Sequence, residues 1–144
     1  MALNYQPPKT IDIPENVENL DITKVLLLED DIHLSDVIKK FLESLFYEVT
    51  AVKSGVEGLK AVMAGDFDVI ICDMLMPSLS GDMFYLAVEK TKPHLCKKFI
   101  FVTGHTGTPK IDNFIKRING TMLPKPFHMD TLRELVSYTL SRKG

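Results

Sequence analysis

The sequence predicts an α/β domain, a doubly wound five-stranded parallel sheet flanked by five helices. Two observations carry that expectation. Short apolar runs alternate with amphipathic stretches five times between Lys24 and Ser141, the pattern of repeated strand–helix units. The runs also lack the in–out alternation of a half-solvated strand, as suits strands covered on both faces. Right-handed crossovers leave few ways of connecting such units.

Lys24-Val25-Leu26-Leu27-Leu28 is the first expected strand, and it ends in Glu29-Asp30-Asp31. The helix after it sets Leu34, Val37, Ile38, Phe41, Leu42 and Leu45 at helical spacing, with Asp36, Lys39, Lys40 and Glu43 opposite. Tyr47 to Val52 is rich in β-formers and reads as the second strand. Ser54 is an N-cap candidate with Glu57 three residues on, a capping-box pattern. It opens a helix with Val56, Leu59, Val62 and Met63 inward and Gly65 at its end.

Val69-Ile70-Ile71-Cys72 is a third strand running straight into Asp73, and Pro77 and Gly81 break regular structure behind it. A third helix carries Met83, Phe84, Ala87 and Val88 and fades before Pro93. Phe99-Ile100-Phe101-Val102 is the fourth strand, ending in Thr103-Gly104-His105. Residues 108 to 118 read as a fourth helix, with Pro109 suited to its first turn, Ile111, Phe114, Ile115 and Ile118 apolar, and Asn119-Gly120 ending it. Thr121-Met122-Leu123 is a short fifth strand before Pro124-Lys125-Pro126-Phe127. The last helix, about 129 to 141, buries Leu132, Leu135, Val136 and Leu140.

Size and composition narrow the class. A chain of 144 residues fits one domain, and 45% hydrophobic with 25% charged residues suits a globular rather than a disordered protein. No apolar run is long enough to span a membrane and no signal-peptide pattern is visible, so a cytoplasmic location is expected. Cys72 and Cys96 are too few for a disulfide framework and lack metal-ligand spacing. Strand alternation points Cys72 away from the Asp73 side, as a small buried hydrophobe. A net charge of −2 leaves no footprint for nucleic acid. Residues 1 to 22 differ from the rest: Pro7-Pro8 and Pro14 forbid a continuous helix, and Asp12, Glu15, Glu18 and Asp21 are interleaved with Asn. They read as an N-terminal extension or linker before a domain at 23–144, although Ile11, Ile13, Val17 and Leu20 could lie along a neighbouring surface.

Open α/β sheets bind ligands at the carboxyl ends of their strands. The groups delivered there are Glu29 and Asp30, with Asp31 beside them, then Asp73, Thr103 and Lys125. Three converging carboxylates repel one another unless one is protonated or a hard divalent cation such as Mg²⁺ neutralises them. A lysine opposite the acids and a threonine hydroxyl complete a set able to stabilise a phosphoryl group on a carboxylate. An aspartate nucleophile forming an aspartyl-phosphate is established chemistry. Taken singly, Asp73 could be a turn residue, Lys125 a surface lysine and Thr103 a loop cap. Joint occurrence at the strand ends points to chemistry.

Over residues 24 to 142 the sequence resembles the receiver domains of two-component response regulators. The matching elements are Leu26-Leu27-Leu28-Glu29-Asp30-Asp31, Asp73-Met74-Leu75-Met76-Pro77 with Gly81, Val102-Thr103-Gly104, and Lys125-Pro126-Phe127. The resemblance, to the chemotaxis receiver in particular, implies the flavodoxin-like strand order 2-1-3-4-5. It implies that Asp73 accepts a phosphoryl group from a histidine kinase, a phosphotransfer protein or a small phosphodonor. Glu29, Asp30, Asp73 and the backbone carbonyl of Leu75 would hold Mg²⁺. Thr103 and Lys125 would contact the phosphoryl oxygens, the Lys125-Pro126 bond would be cis, and Thr103 would move inward on phosphorylation. The only catalysis implied is of the domain's own phosphoryl transfer and dephosphorylation.

The family commonly places Tyr or Phe where Met122 stands, so a smaller coupled switch is expected here. Leu75 and His105 flank the site and would modulate dephosphorylation, which is expected to be slow. His33, His94 and His128 have no ligand spacing and read as surface residues. By resemblance the partner face is helix 4, strand 5 and helix 5, where Lys110, Lys116, Arg117 and Arg133 lie, and a homodimer is compatible with it. The last helix runs to the end of the chain, so no output domain is expected. A stand-alone receiver and the receiver module of a hybrid histidine kinase both fit. The competing class is a phosphorylation-independent interaction domain on the same scaffold, which the complete acidic and lysine set disfavours. A hydrolase with an Asp nucleophile would call for a second Asp at Leu75.

Overall fold

Strands β1 (Lys24–Leu28), β2 (Glu48–Val52), β3 (Val69–Asp73), β4 (Phe99–Thr103) and β5 (Thr121–Pro124) form one sheet in the order β2-β1-β3-β4-β5. Every pairing is parallel. The computed structural model describes residues 22–104 and 107–142. The N-terminal extension expected at 1–22 therefore lies, but for Ile22, outside the described residues. Five helices connect or follow the strands: α1 (Ile32–Ser44), α2 (Gly55–Ala64), α3 (Gly81–Thr91), α4 (Pro109–Ile118) and α5 (Met129–Ser141). Among the described residues no helix is long and apolar enough to cross a membrane.

The non-alternating strands now have a physical account, because each strand feeds two cores. Val25, Leu27, Val69 and Ile71 meet Ile38 and Leu42 of α1 and Leu132 and Val136 of α5. Leu26, Leu28, Ile70 and Cys72 meet Val62 of α2, Phe84 and Val88 of α3, and Ile111 and Phe114 of α4. Each large side chain buried this way stabilises the fold by roughly 1.5–3 kcal/mol. On the second face Tyr85 stands edge-on to Phe99 and Phe114 at centroid distances of 5.1 and 5.5 Å, and Phe99 stacks on Phe101 at 5.2 Å. Cys72 is fully buried on this face, and burial raises its thiol pKa well above the ordinary value.

Local signals act as expected at several helix ends. Ser54 accepts the Glu57 N–H at 3.1 Å, and Glu57 Oε1 reaches back to the Lys53 N–H at 3.4 Å. Pro109 occupies the first turn of α4, whose end turns through Asn119 at φ 53°. Gly65 does follow α2, but in an extended conformation (φ −172°) rather than a left-handed one. Tyr47 is not yet strand, since its N–H still donates to Leu42 O at the end of α1. A 3₁₀ turn at Pro93–Lys98, not foreseen from the sequence, joins α3 to β4.

The faces of the helices are the larger correction. Val37, Val56, Met63 and Met83 are all about half exposed. In α2 the buried residues are Gly55, Gly58 and Val62. A Cβ on Gly55 would come within 2.4 Å of Leu79 O, and one on Gly58 within 2.4 Å of Leu28 Cδ2. Glycine thus lets α2 lie close to its neighbours, and the apolar stripe that looks like the core face is rotated outward by about one residue, or 100°.

Candidate functional site

All five parallel strands deliver their carboxyl ends to one rim, and backbone bonds pin the residues that follow. Glu29 N–H donates to Val52 O at 3.1 Å, Met74 N–H to Val102 O at 3.0 Å, and Lys125 N–H to Thr103 O at 2.8 Å. Glu29, Asp73 and Lys125 are thus fixed by the sheet itself rather than by mobile loops. Gly81 closes the turn behind Asp73: its N–H donates to Met74 O at 2.9 Å. A Cβ there would meet the Asp73 carbonyl oxygen at 2.8 Å and Met74 Cα at 2.9 Å, so a larger residue would displace the turn. The sequence showed Gly81 as a breaker and as part of the resemblance, but this close approach could not be read from it.

Asp73 and Glu29 are buried at 6% and 2% exposure. Asp73 Oδ1 accepts the Leu75 N–H at 3.1 Å, and Oδ2 accepts Lys125 Nζ at 2.9 Å. Glu29 Oε1 faces the same ammonium at 2.9 Å, and Oε2 accepts the Asp31 N–H at 3.1 Å. The Lys125-Pro126 bond is cis. Burial raises the pKa of Glu29, opposed by its bonds to Lys125 and Asp31. Burial pushes Lys125 down, but bonds to Asp73 and Glu29 outweigh it, so its pKa ends above the ordinary value.

Oxygens of Glu29, Asp30 and Asp73 all lie within 4.8 Å of one another. Asp30 is exposed, which leaves the cluster open to solvent on one side. An all-carboxylate set, one member of it solvated, matches what a hard cation that keeps several waters requires. Asp31 does not join it. Its carboxylate caps α1, accepting the N–H groups of His33 and Leu34 at 3.0 and 3.1 Å. Thr103 ends β4 fully buried, and Leu75 is half exposed beside Asp73. Met122 pairs with Phe101 in register and packs against the aromatic core. His105 lies outside the described residues. His94 is exposed and bonds Asp66 at 3.1 Å, and His128 begins α5.

The model for the response regulator receiver domain matches residues 25–137. This chain belongs to that family. Receiver domains of this kind serve two-component signalling, between histidine kinases and downstream partners. The chain is 31% identical over 121 residues to the sensor kinase CckA of Brucella abortus, covering 83% of this chain and 13% of the kinase. It is 28% identical to the transcriptional regulatory protein CiaR of Streptococcus pneumoniae, covering 84% of this chain and 53% of that protein. It therefore spans about half or less of the length of these two relatives. The chemotaxis response regulator CheY4 of Vibrio cholerae superposes with a TM-score of 0.74 at 29% identity, over 83% of this chain and all of that one. The receiver fold and its strand order are those expected from the sequence.

Proposed function

We propose that this receiver domain accepts a phosphoryl group on Asp73, with Mg²⁺ bound, and that the modification switches its binding to a partner. The observation that carries the reading is one buried carboxylate held at both oxygens, by Leu75 N–H and Lys125 Nζ, beside two further acids. In the transfer, an Asp73 oxygen forms a bond to phosphorus as the bond to a phosphohistidine nitrogen, or to a small donor's leaving oxygen, breaks. The bonding pair leaves with the donor group. Glu29, Asp30, Asp73 and the Leu75 carbonyl are the residues that would hold Mg²⁺, which supplies charge neutralisation for the phosphoryl oxygens. Lys125 Nζ lies 2.9 Å from Asp73 Oδ2, and Thr103 ends the neighbouring strand. Catalysis extends no further than the domain's own phosphorylation and hydrolysis.

The phosphodonor is a histidine kinase or phosphotransfer protein, and the location is the cytoplasm. The output surface is the face of α4, β5 and α5. Lys110, Lys116 and Arg117 lie on α4 and Arg133 on α5, where it pairs with Asp130 at 3.5 Å. Intact-mass analysis after incubation with acetyl phosphate and Mg²⁺ tests the reading. One added phosphoryl group on the wild type and none on Asp73→Asn is the expected result. No addition to the wild type would overturn it in favour of a phosphorylation-independent binding role.

A further inference from the structure

Helix α2 carries more apolar surface than its core uses. Val56, Leu59 and Met63 line a shallow groove of about 540 Å³ with Lys60 and Ala64. Val56 is 45% and Met63 59% exposed, although single exposed apolar residues are ordinary and only their alignment as a stripe calls for explanation. The stripe exists because Gly55, Gly58 and Val62 take the inward positions. The groove's one charged lining residue is the cation Lys60.

The chain preceding the described residues ends close to this groove. Lys24 is bonded in both directions to Asp68, donating to Asp68 Oδ2 and accepting Asp68 N–H, each at 2.8 Å. Asp68 lies four residues past the end of α2 at Ala64, a gap of at most about 14 Å at 3.3–3.6 Å per residue. Residues 1–21 thus start from the C-terminal end of α2 and have ample length to run back along it. Their sequence has the matching pattern. Ile13, Val17 and Leu20 recur at i, i+4 and i+7, while Glu15, Glu18 and Asp21 occupy other positions. Pro14 suits the first turn of such a stretch.

We infer that the segment around residues 13–21 of this same chain docks on the outer face of α2, laying Ile13, Val17 and Leu20 over Val56, Leu59 and Met63. Its acids then lie near Lys60. The short tether holds the segment at high effective concentration, so a small apolar contact suffices.

Methionine oxidation by hydrogen peroxide in the full chain, read by peptide mass, tests this. Met83, 51% exposed, is the internal reference for Met63. Met63 is expected to oxidise about tenfold more slowly than Met83, the protection factor of a contact worth about 1.4 kcal/mol. Leu20→Asp and Val17→Asp are each expected to bring Met63 up to the Met83 rate. Equal rates in the wild type would overturn the inference. So would protection that survives both substitutions, or protection that grows with protein concentration, which would assign the groove to a second copy.

Discussion

The Lys125 ammonium lies 2.9 Å from Asp73 Oδ2, joining residues 52 positions apart in sequence. It lies equally close to Glu29 Oε1, so one cation separates two buried carboxylates. Removing it leaves those carboxylates facing each other with no compensating charge. Lys125→Ala is expected to cost about 3 kcal/mol at neutral pH, the low end for a broken buried pair because the lysine is itself partly exposed. Urea unfolding without divalent cations measures this, and a loss below about 1 kcal/mol, typical of a surface pair, would refute the bridging role.

Burial raises the pKa of Glu29 from its ordinary 4.5. The folded state therefore holds that proton more tightly than the unfolded one. Stability from this group is fully present below pH 4.5 and is lost as pH rises through the raised folded value. A divalent cation needs the deprotonated form, so the proton competes with it. Mg²⁺ affinity by calorimetry is expected to begin falling while the pH is still above 4.5, where an ordinary glutamate would titrate. Glu29→Gln is expected to weaken binding and flatten that dependence. A wild-type affinity that holds constant as the pH falls to 4.5 would contradict the assignment.

The strands and their chemistry were legible because both depend on local signals. An unbroken apolar run ending in Asp73 or Thr103 can be read directly, and parallel pairing then carries all such ends to one rim. What escaped was set by close approach in space. The inward face of α2 is made of Gly55, Gly58 and Val62, so the exposed Val56 and Met63 mark the wrong side. Asp31 stands beside the acidic set in the sequence, and its separate role, capping the backbone of α1, could not be read there. The bridging of Glu29 and Asp73 by a single lysine also depends on three strands at once, and no sequence spacing encodes it.

Phe46 ends α1 at φ 68° with its side chain 92% exposed. Left-handed backbone costs a residue with a Cβ roughly 1–2 kcal/mol, and an exposed ring regains little of it. Phe46→Gly is expected to stabilise the domain by about 0.5–1 kcal/mol, part of the relief being offset by the entropy of an unfolded glycine. Urea unfolding decides this, and a destabilised variant would show that the ring makes a contact the fold relies on.

Met122 bears on how phosphorylation spreads from the rim. It pairs with Phe101 across β4 and β5 and lies against the ring cluster of Tyr85, Phe101 and Phe114. A flexible thioether adapts to a small shift without passing it on. A phosphoryl mimic at Asp73 is therefore expected to shift the NMR signals of Thr103 and leave those of Met122 and α4 little changed. Met122→Tyr supplies a rigid ring whose two orientations occupy different space, and it is expected to extend the changes into α4. Large shifts across β5 and α4 in the wild type would show that methionine transmits the switch as well as an aromatic ring.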